Sequence, residues 1–282
     1  MPKRASAPAV RAKRSAARRP PGAGDPDFML SLARGLSVIR AFADGVPQLT
    51  VADAARLTGM SRAAARRCLY TLSALGYATS ADGAYTLTPA VLALGYTYIG
   101  STSLARVAQP VLERVSEHLH ESCSLAVADG DEIVYLARAA TRRILSIGLS
   151  VGSRLPAACT SMGRVLLAFG PESARGAFLA RVRLVRHTPF TIVDRSRLRT
   201  ELERVRQQGF AIVDQELELG LRSLAVPVRR PDGTVIAAIN VGVQAGRVAP
   251  ERLERVFLPA LREAAAEIGS AAGHVGASSG HH

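Results

Sequence analysis

The chain has 282 residues, of which 48% are hydrophobic, and carries a formal net charge of +13. That length allows one large domain or two ordinary ones, and the apolar content excludes wholesale disorder. No run approaches the roughly 18 apolar residues of a membrane span, and the basic N-terminus runs into Pro and Gly, not an apolar segment, so a signal peptide is excluded and a soluble, cytoplasmic protein is expected.

Three cysteines, Cys68, Cys123 and Cys159, are too few and too scattered for a disulfide framework or a zinc site. His118 and His120 point to different faces of any helix, and His281 and His282 end a Gly/Ser tail that is set aside. No metal and no cofactor is expected. The charge is uneven. Residues 1–95 hold 13 Lys/Arg against 5 Asp/Glu, whereas residues 96–282 hold 23 against 18. A high-GC genome explains a preference for Arg over Lys but not this asymmetry, which suits a first third that meets a polyanion.

Taken in order, residues 1–27 form a basic, Ala/Pro/Ser-rich arm read as disordered. Leu32, Leu36, Ile39 and Phe42 then recur at helical spacing until Asp44-Gly45 stops them. Thr50 opens a short second helix, Val51 to Leu57, with Asp53 three residues on, close to a capping box. After the turn Thr58-Gly59-Met60, Ser61 caps a third helix from Arg62 to about Leu75, closed by Gly76. Two helices joined by a tight Gly-containing turn are a helix-turn-helix. Two β-prone runs, Tyr77–Ser80 and Tyr85–Thr88, flank Ala81-Asp82-Gly83 and read as a hairpin, the wing of a winged helix. Residues 28–89 are therefore expected to form a winged helix-turn-helix domain.

Pro89 begins a helical linker, 90–100, and a second helix runs from about Leu104 to Glu121; together 90–121 are read as linker and dimerisation helices. Beyond them, 122–272 read as a mixed α/β domain, with 273–282 a disordered tail. Its expected strands are Ser124–Ala128, Ile133–Ala137, Ile144–Val151, Leu224–Val228 and Val235–Val243. Its expected helices are Ser161–Phe169, Arg197–Gln208 and 250–271. This order suggests a central antiparallel sheet with helices packed on it, so the fold class is α+β.

The third helix carries the chemistry for DNA. Arg62, Arg66 and Arg67 lie on it with no acid among them, and Leu69, Leu72 and Leu75 are expected to face inward. Ser61 and Arg62, at its N-terminus, are placed to enter the major groove, and Arg is the side chain best shaped to pair with guanine or hold a phosphate. Arg67 and Thr71 suit backbone contacts, Ala63 lets the helix approach closely, and Thr50 completes the DNA-facing set. The bland reading, a merely solvated Arg-rich face, is disfavoured because the wing and the charge asymmetry agree with the helix.

Several segments together resemble the IclR family of bacterial regulators: "LARGLSVIRAF" (32–42), "LTVADAARLTGMSRAAARRCLYTLSALGYA" (49–78), "VGSRLPAACTSMGRVLLA" (151–168) and "QGFAIVDQELELGLRSLAVPV" (208–228). "MSRAAARR" and "RLPAACTSMGRVLLA" are most similar to the branch regulating aromatic-acid catabolism, the PcaR, PcaU and PobR type. The resemblance implies a winged helix-turn-helix, a linker helix used in dimerisation, and a GAF-like effector domain. Its implied partners are a double-stranded DNA operator, a small organic or aromatic acid of the protocatechuate, 4-hydroxybenzoate or β-ketoadipate pathway, and further copies of the chain in a dimer or a dimer of dimers. The family's signature maps to Gly209, Glu216, Ser223, Leu224 and Ala225. It departs where Val213 takes the acidic or Ser position, with the carboxylate at Asp214, and where Arg229 and Arg230 end it.

By position, the effector candidates are Thr160, Ser161 and Met162 at a helix start, Leu221 and Ser223 after the Gly220 turn, Asn240 on a strand, Asp214, and Arg154 as the cation. Thr160 and Ser161 serve equally as simple N-caps. Arg154 serves equally as partner of a surface acid. Asn240 interrupts the apolar strand "VIAAINVGV" and needs a partner there. Asp214 and Glu216 either support the pocket from behind or cap a loop. An enzyme is not expected: Cys159 has no evident His partner, His187 being the only His in the α/β core, and no phosphate-binding Gly loop or hydrolase elbow is present. The remaining alternative is a constitutive DNA-binding dimer whose C-terminal domain senses nothing.

Overall fold

The computed structural model describes residues 25–42, 46–95, 103–141 and 149–277. The N-terminal arm up to residue 24, the Asp44-Gly45 stop, the stretch 96–102, most of the strand read at Ile144–Val151, and the tail from 278 lie outside them. The chain divides into two compact units between Thr97 and Tyr98.

In the first unit, α1 (Leu30–Ala41), β1 (Leu49–Thr50), α2 (Val51–Thr58), α3 (Arg62–Ala74), β2 (Ala78–Ala81) and β3 (Ala84–Leu87) follow in order. Thr50 and Asp53 make a complete capping box on α2, the Thr50 hydroxyl accepting from the Asp53 N–H. That hydroxyl also donates to the Asp53 carboxylate, which with Arg56 holds the carboxyl below the usual carboxylate range. Gly59 ends α2 in the left-handed conformation, at φ 69°, and Ser61 caps α3 by accepting from the Ala64 N–H at 3.3 Å. The β2–β3 turn has φ 50° at Asp82 and 77° at Gly83, the two positive values that a hairpin matched to strand twist requires. β1 adds to this hairpin, giving the order β1-β3-β2.

Val38, Ala41, Phe42, Ala54, Ala65, Leu69 and Leu72 form the core of this unit. One expectation fails here: Leu75, at the cap of α3, is 64% exposed and does not face inward. On α1, Leu32 and Leu36 are exposed while Val38, Ala41 and Phe42 are buried. Spacing identifies which side chains share a face, not whether anything covers it.

Residues 91–95, still in the first unit, are helical, and the second unit's first described element is α4 (Ser103–Leu119). Then come β4 (Ser122–Asp129), β5 (Glu132–Ala139), β6 (Arg154–Pro156), a 3-10 turn at Ala157–Cys159, α5 (Ser161–Phe169), α6 (Glu172–Arg181) and α7 (Arg195–Gln208). Last are β7 (Ala211–Asp214), β8 (Leu221–Arg229), β9 (Val235–Gln244) and α8 (Leu258–Ala277), which a short turn, Pro250–Arg252, and a π-helical turn, Leu253–Phe257, introduce. Leu149–Val151, read as strand, is not strand, and the edge strand is β6. The closing helix also runs past 272 into the segment read as tail.

The six strands form one antiparallel sheet in the order β6-β5-β4-β9-β8-β7. Its two faces differ in bulk. On one, Cys123, Leu125, Leu224, Val226, Ile239 and Val241 pack under α4 and α8. On the other, Ser122, Ser124 and Ala126 lie beside Gly242, Asn240 and Ala238, and those beside Ser223 and Ala225. These small side chains admit α5, whose Met162 and Val165 join Phe178, Leu198 and Leu202 in a second core. Gly163 permits the approach, since a Cβ there would stand 2.2 Å from the Ala157 carbonyl oxygen. Where α5 ends, the same small-residue face is left to line a cavity.

Candidate functional site

On α3 the face opposite Leu69 and Leu72 presents Ser61, Arg62, Ala63, Arg66, Arg67, Tyr70 and Thr71, all exposed. Thr50 is exposed at the head of α2. The Thr71 hydroxyl donates back to the Arg67 carbonyl at 2.8 Å. Tyr70, 69% exposed, was not singled out from the sequence; its position one turn beyond Arg66 was the available signal. Arg62 and Arg66 in one row, Arg67 beside them and an aromatic tip form on one helix a surface suited to phosphates and base edges.

The second site is a cavity of about 530 Å³ in the C-terminal unit, a size usual for small-molecule pockets. β4, β5, β8 and β9 give its floor through Ser122, Tyr135, Arg138, Ser223, Asn240 and Gly242; the head of α5 gives Thr160, Ser161 and Met162; the 216–221 loop covers it with Glu216, Leu217, Leu219 and Leu221. Six of the expected effector residues therefore come together: Thr160, Ser161, Met162, Leu221, Ser223 and Asn240.

The alternatives for Thr160 and Ser161 are resolved by their hydrogen bonds. The Thr160 hydroxyl accepts from the Gly163 N–H at 3.3 Å and donates to the Pro156 carbonyl at 3.0 Å, so it is spent on the helix cap. Ser161 is 1% exposed, and its hydroxyl has no partner. The Asn240 Oδ1 and the Arg138 Nε are likewise buried without a partner. Burying such groups unpaired costs about 1–3 kcal/mol each, so three on residues that line one cavity mark a place built for something polar.

Two expected residues lie elsewhere. Arg154 does not line the cavity; it sits on the edge strand β6, bound to Glu132 at 2.8 Å and Asp129 at 2.6 Å across the neighbouring hairpin. Asp214 pairs with Arg222, on the opposite sheet face from Val213 and Ser223, and accepts its Nη2 at 2.8 Å. The cations lining the cavity are instead Arg247, which is paired with Glu121, and Arg138, whose Nη1 donates to Ser124 Oγ at 3.0 Å. A β-bulge puts it there. Ser124 faces Arg138 and Leu125 faces Ala137, but Ala126 faces Tyr135, which leaves Leu136 as the extra residue. Tyr135 and Arg138, an odd three residues apart, consequently share the cavity face.

Two of the carboxylates around the cavity are held in ion pairs. Arg247 bonds to Glu121. Glu216 accepts from the buried Arg164 at 2.7 Å and from the Ile192 N–H at 3.0 Å, and its carbonyl accepts from the Thr191 hydroxyl at 2.6 Å. Burial pushes the Cys159 thiol up to about 12, aided by the Glu216 charge, and burial pushes the Tyr135 phenol up to about 12. Both are neutral groups at ordinary pH. Among the described residues no helix is long and apolar enough to cross a membrane.

The chain matches the family model "IclR helix-turn-helix domain" over residues 31–82 and the model "Bacterial transcriptional regulator IclR C-terminal" over residues 96–270. It is 50% identical over 246 residues to the Pca regulon regulatory protein of Pseudomonas putida, covering 87% of this chain and 84% of that one. Among solved structures it is similar to the transcriptional regulator RHA06195 from Rhodococcus sp. RHA1, with 45% identity and a TM-score of 0.78 over 88% of this chain and all 100% of the other. It is also similar to an IclR homolog from Microbacterium hydrocarbonoxydans complexed with 4-hydroxybenzoate, with 27% identity and a TM-score of 0.75 over 87% and 99% of the two chains. The chain belongs to the IclR family and is a DNA-binding transcriptional regulator of the Pca and PobR branch.

Proposed function

We propose that the chain binds a double-stranded operator through α3 and that a small aromatic acid in the cavity sets its affinity for that operator. The single observation carrying the second half is that three residues lining the cavity, Arg138, Ser161 and Asn240, each hold a buried polar atom without a partner: Nε, Oγ and Oδ1. Arg138 offers a donor with positive charge, and Ser161 a hydroxyl at a helix N-terminus; both suit a carboxylate. Asn240 Oδ1 is an acceptor and suits a ring hydroxyl. Leu149, Leu155, Met162 and Val213 supply the apolar walls a ring needs. The 4-hydroxybenzoate complex of the Microbacterium relative supports an aromatic acid as the ligand class.

The working form in this reading is a homodimer or a dimer of dimers. Exposed Leu30, Leu32 and Leu36 on α1 support it, because a second copy would cover them. Two α3 helices would then meet half-sites about 34 Å apart. The test is a titration of 4-hydroxybenzoate, 3-hydroxybenzoate, protocatechuate and β-ketoadipate against the full chain, with calorimetry for acid binding and operator affinity measured in parallel. A shift of operator affinity by one of them is the expected result. Binding to the operator that no acid changes would leave the constitutive dimer as the better description.

A further inference from the structure

The backbone of Arg138 is held by α4, the first described helix after the DNA-binding unit. On its outer side β5 pairs with β6 at Glu132–Val134, and the backbone bonds continue to Tyr135, which donates to the Ser153 carbonyl and accepts from the Gly152 N–H; past the bulge, among the described residues, β5 has β4 alone as a strand neighbour. Arg138 N–H donates to Gln109 Oε1 and Gln109 Nε2 donates to the Arg138 carbonyl, both at 3.3 Å. One amide side chain of a helix thus fills the place of a neighbouring strand. The same Nε2 donates to Glu113 at 2.8 Å, one turn along α4, so all three contacts fix the Gln109 rotamer.

We propose that Gln109 is the positioning residue through which occupancy of the cavity reaches α4. The proposal rests on the aromatic-acid reading given above. A carboxylate taken by the free Nε draws the guanidinium away from Ser124 and displaces the strand segment behind it. Among the described residues that segment is bonded to a strand on one side, so it yields there before the part of the sheet paired on both sides does. Gln109, bound to both backbone groups of Arg138, moves with it and carries α4. Coupling of this kind needs a contiguous physical connection between site and output, and the two bonds from Gln109 supply it within one residue of the cavity wall.

The experiment compares the full-length wild type with Gln109→Met, which keeps the length and loses both hydrogen bonds, and Gln109→Glu, which keeps the acceptor for the Arg138 N–H. The probe is whichever of the four acids named above binds the wild type most tightly. Wild type should show an acid-dependent shift in operator affinity within the usual allosteric range of about 5–150-fold. In Gln109→Met the acid should bind within about threefold of wild type in calorimetry, and acid-free operator affinity should be unchanged, while the shift falls below about twofold. Gln109→Glu should fall between, and it carries the test if Gln109→Met melts before assay temperature. A normal shift in both variants overturns the proposal, as does loss of acid binding itself, which would make Gln109 part of the pocket's fold. If no acid binds wild type, the aromatic-acid reading falls and takes the coupling with it.

Discussion

Arg164 Nη2 lies 2.7 Å from Glu216 Oε2, with the Arg164 side chain 2% exposed and that of Glu216 8% exposed. The pair ties α5, which begins at the unpartnered Ser161, to the loop that covers the cavity. Removing one member leaves the other charged and buried, a loss that commonly costs about 3–5 kcal/mol, so Arg164→Met should lower stability by that order in urea unfolding. Replacing both, as Arg164→Met with Glu216→Leu, should cost less than the sum of the single changes. A strictly additive cycle would show that the two do not act as a unit.

Arg62 should read bases and not only phosphates. Its place at the exposed start of α3 predicts that Arg62→Ala weakens specific operator binding by about 1–3 kcal/mol and binding to scrambled duplex far less. Equal losses on both duplexes, measured at one salt concentration, would assign it to the backbone.

Ser161 and Arg138 should matter to the acid and not to the operator. Ser161→Leu fills the cavity head and should abolish the acid response while acid-free operator affinity stays at wild type. Arg138→Gln removes a charged donor, worth about 1.5–3 kcal/mol, and should weaken acid binding by about 10- to 100-fold in calorimetry. A Ser161→Leu variant with a normal response would remove that hydroxyl from the ligand's contacts.

Gly163→Ala should destabilise the C-terminal unit, because the new methyl meets Ala157 backbone and not a flexible side chain. Overpacking of this kind costs about 1–3 kcal/mol or more, readable as a lowered Tm. An unchanged Tm would mean that the 3-10 turn moves aside at little cost.

Alkaline pH should weaken the fold through two thiols. Burial raises Cys123 and Cys159 to about 12 from the ordinary value of 9.0. The raised folded value means full stability below pH 9 and loss as pH climbs from there toward 12, because the unfolded chain releases these protons first. Each thiol contributes a slope of about 1.4 kcal/mol per pH unit in that window. Cys123→Ala and Cys159→Ala should each flatten the decline, measured as urea midpoints from pH 8 to 10.5, and an identical slope in both variants would contradict this.

The helix-turn-helix was legible because its signals are local: a Thr–Asp cap, a left-handed Gly59, a Ser61 cap and an Asp-Gly hairpin each act within four residues. The polar lining of the cavity was legible in part, since Ser161 at a helix start and Ser223 and Asn240 on strands stand out in apolar surroundings. Arg138 was not. Strict alternation from Tyr135 assigns it to the α4 face, and only the pairing with Ser124 reveals the shift. Arg154 misled for the converse reason, as its partners Asp129 and Glu132 are brought to it by a hairpin. α6 and β7 escaped notice because short elements owe their form to the packing around them.

The extra residue at Leu136 has a consequence for how such a pocket can change. A deletion of Leu136 would close the ladder into plain alternation, with Tyr135, Ala137 and Arg138 opposite Ala126, Leu125 and Ser124. The guanidinium would keep its place on the cavity wall, and the apolar layer under α4 would lose one leucine. Straightening the strand with all its residues kept would instead send Arg138 under α4. The arginine's side of the sheet therefore depends on where the ladder slips, and a strand of this kind can shorten by one residue there and still offer the same anion receptor.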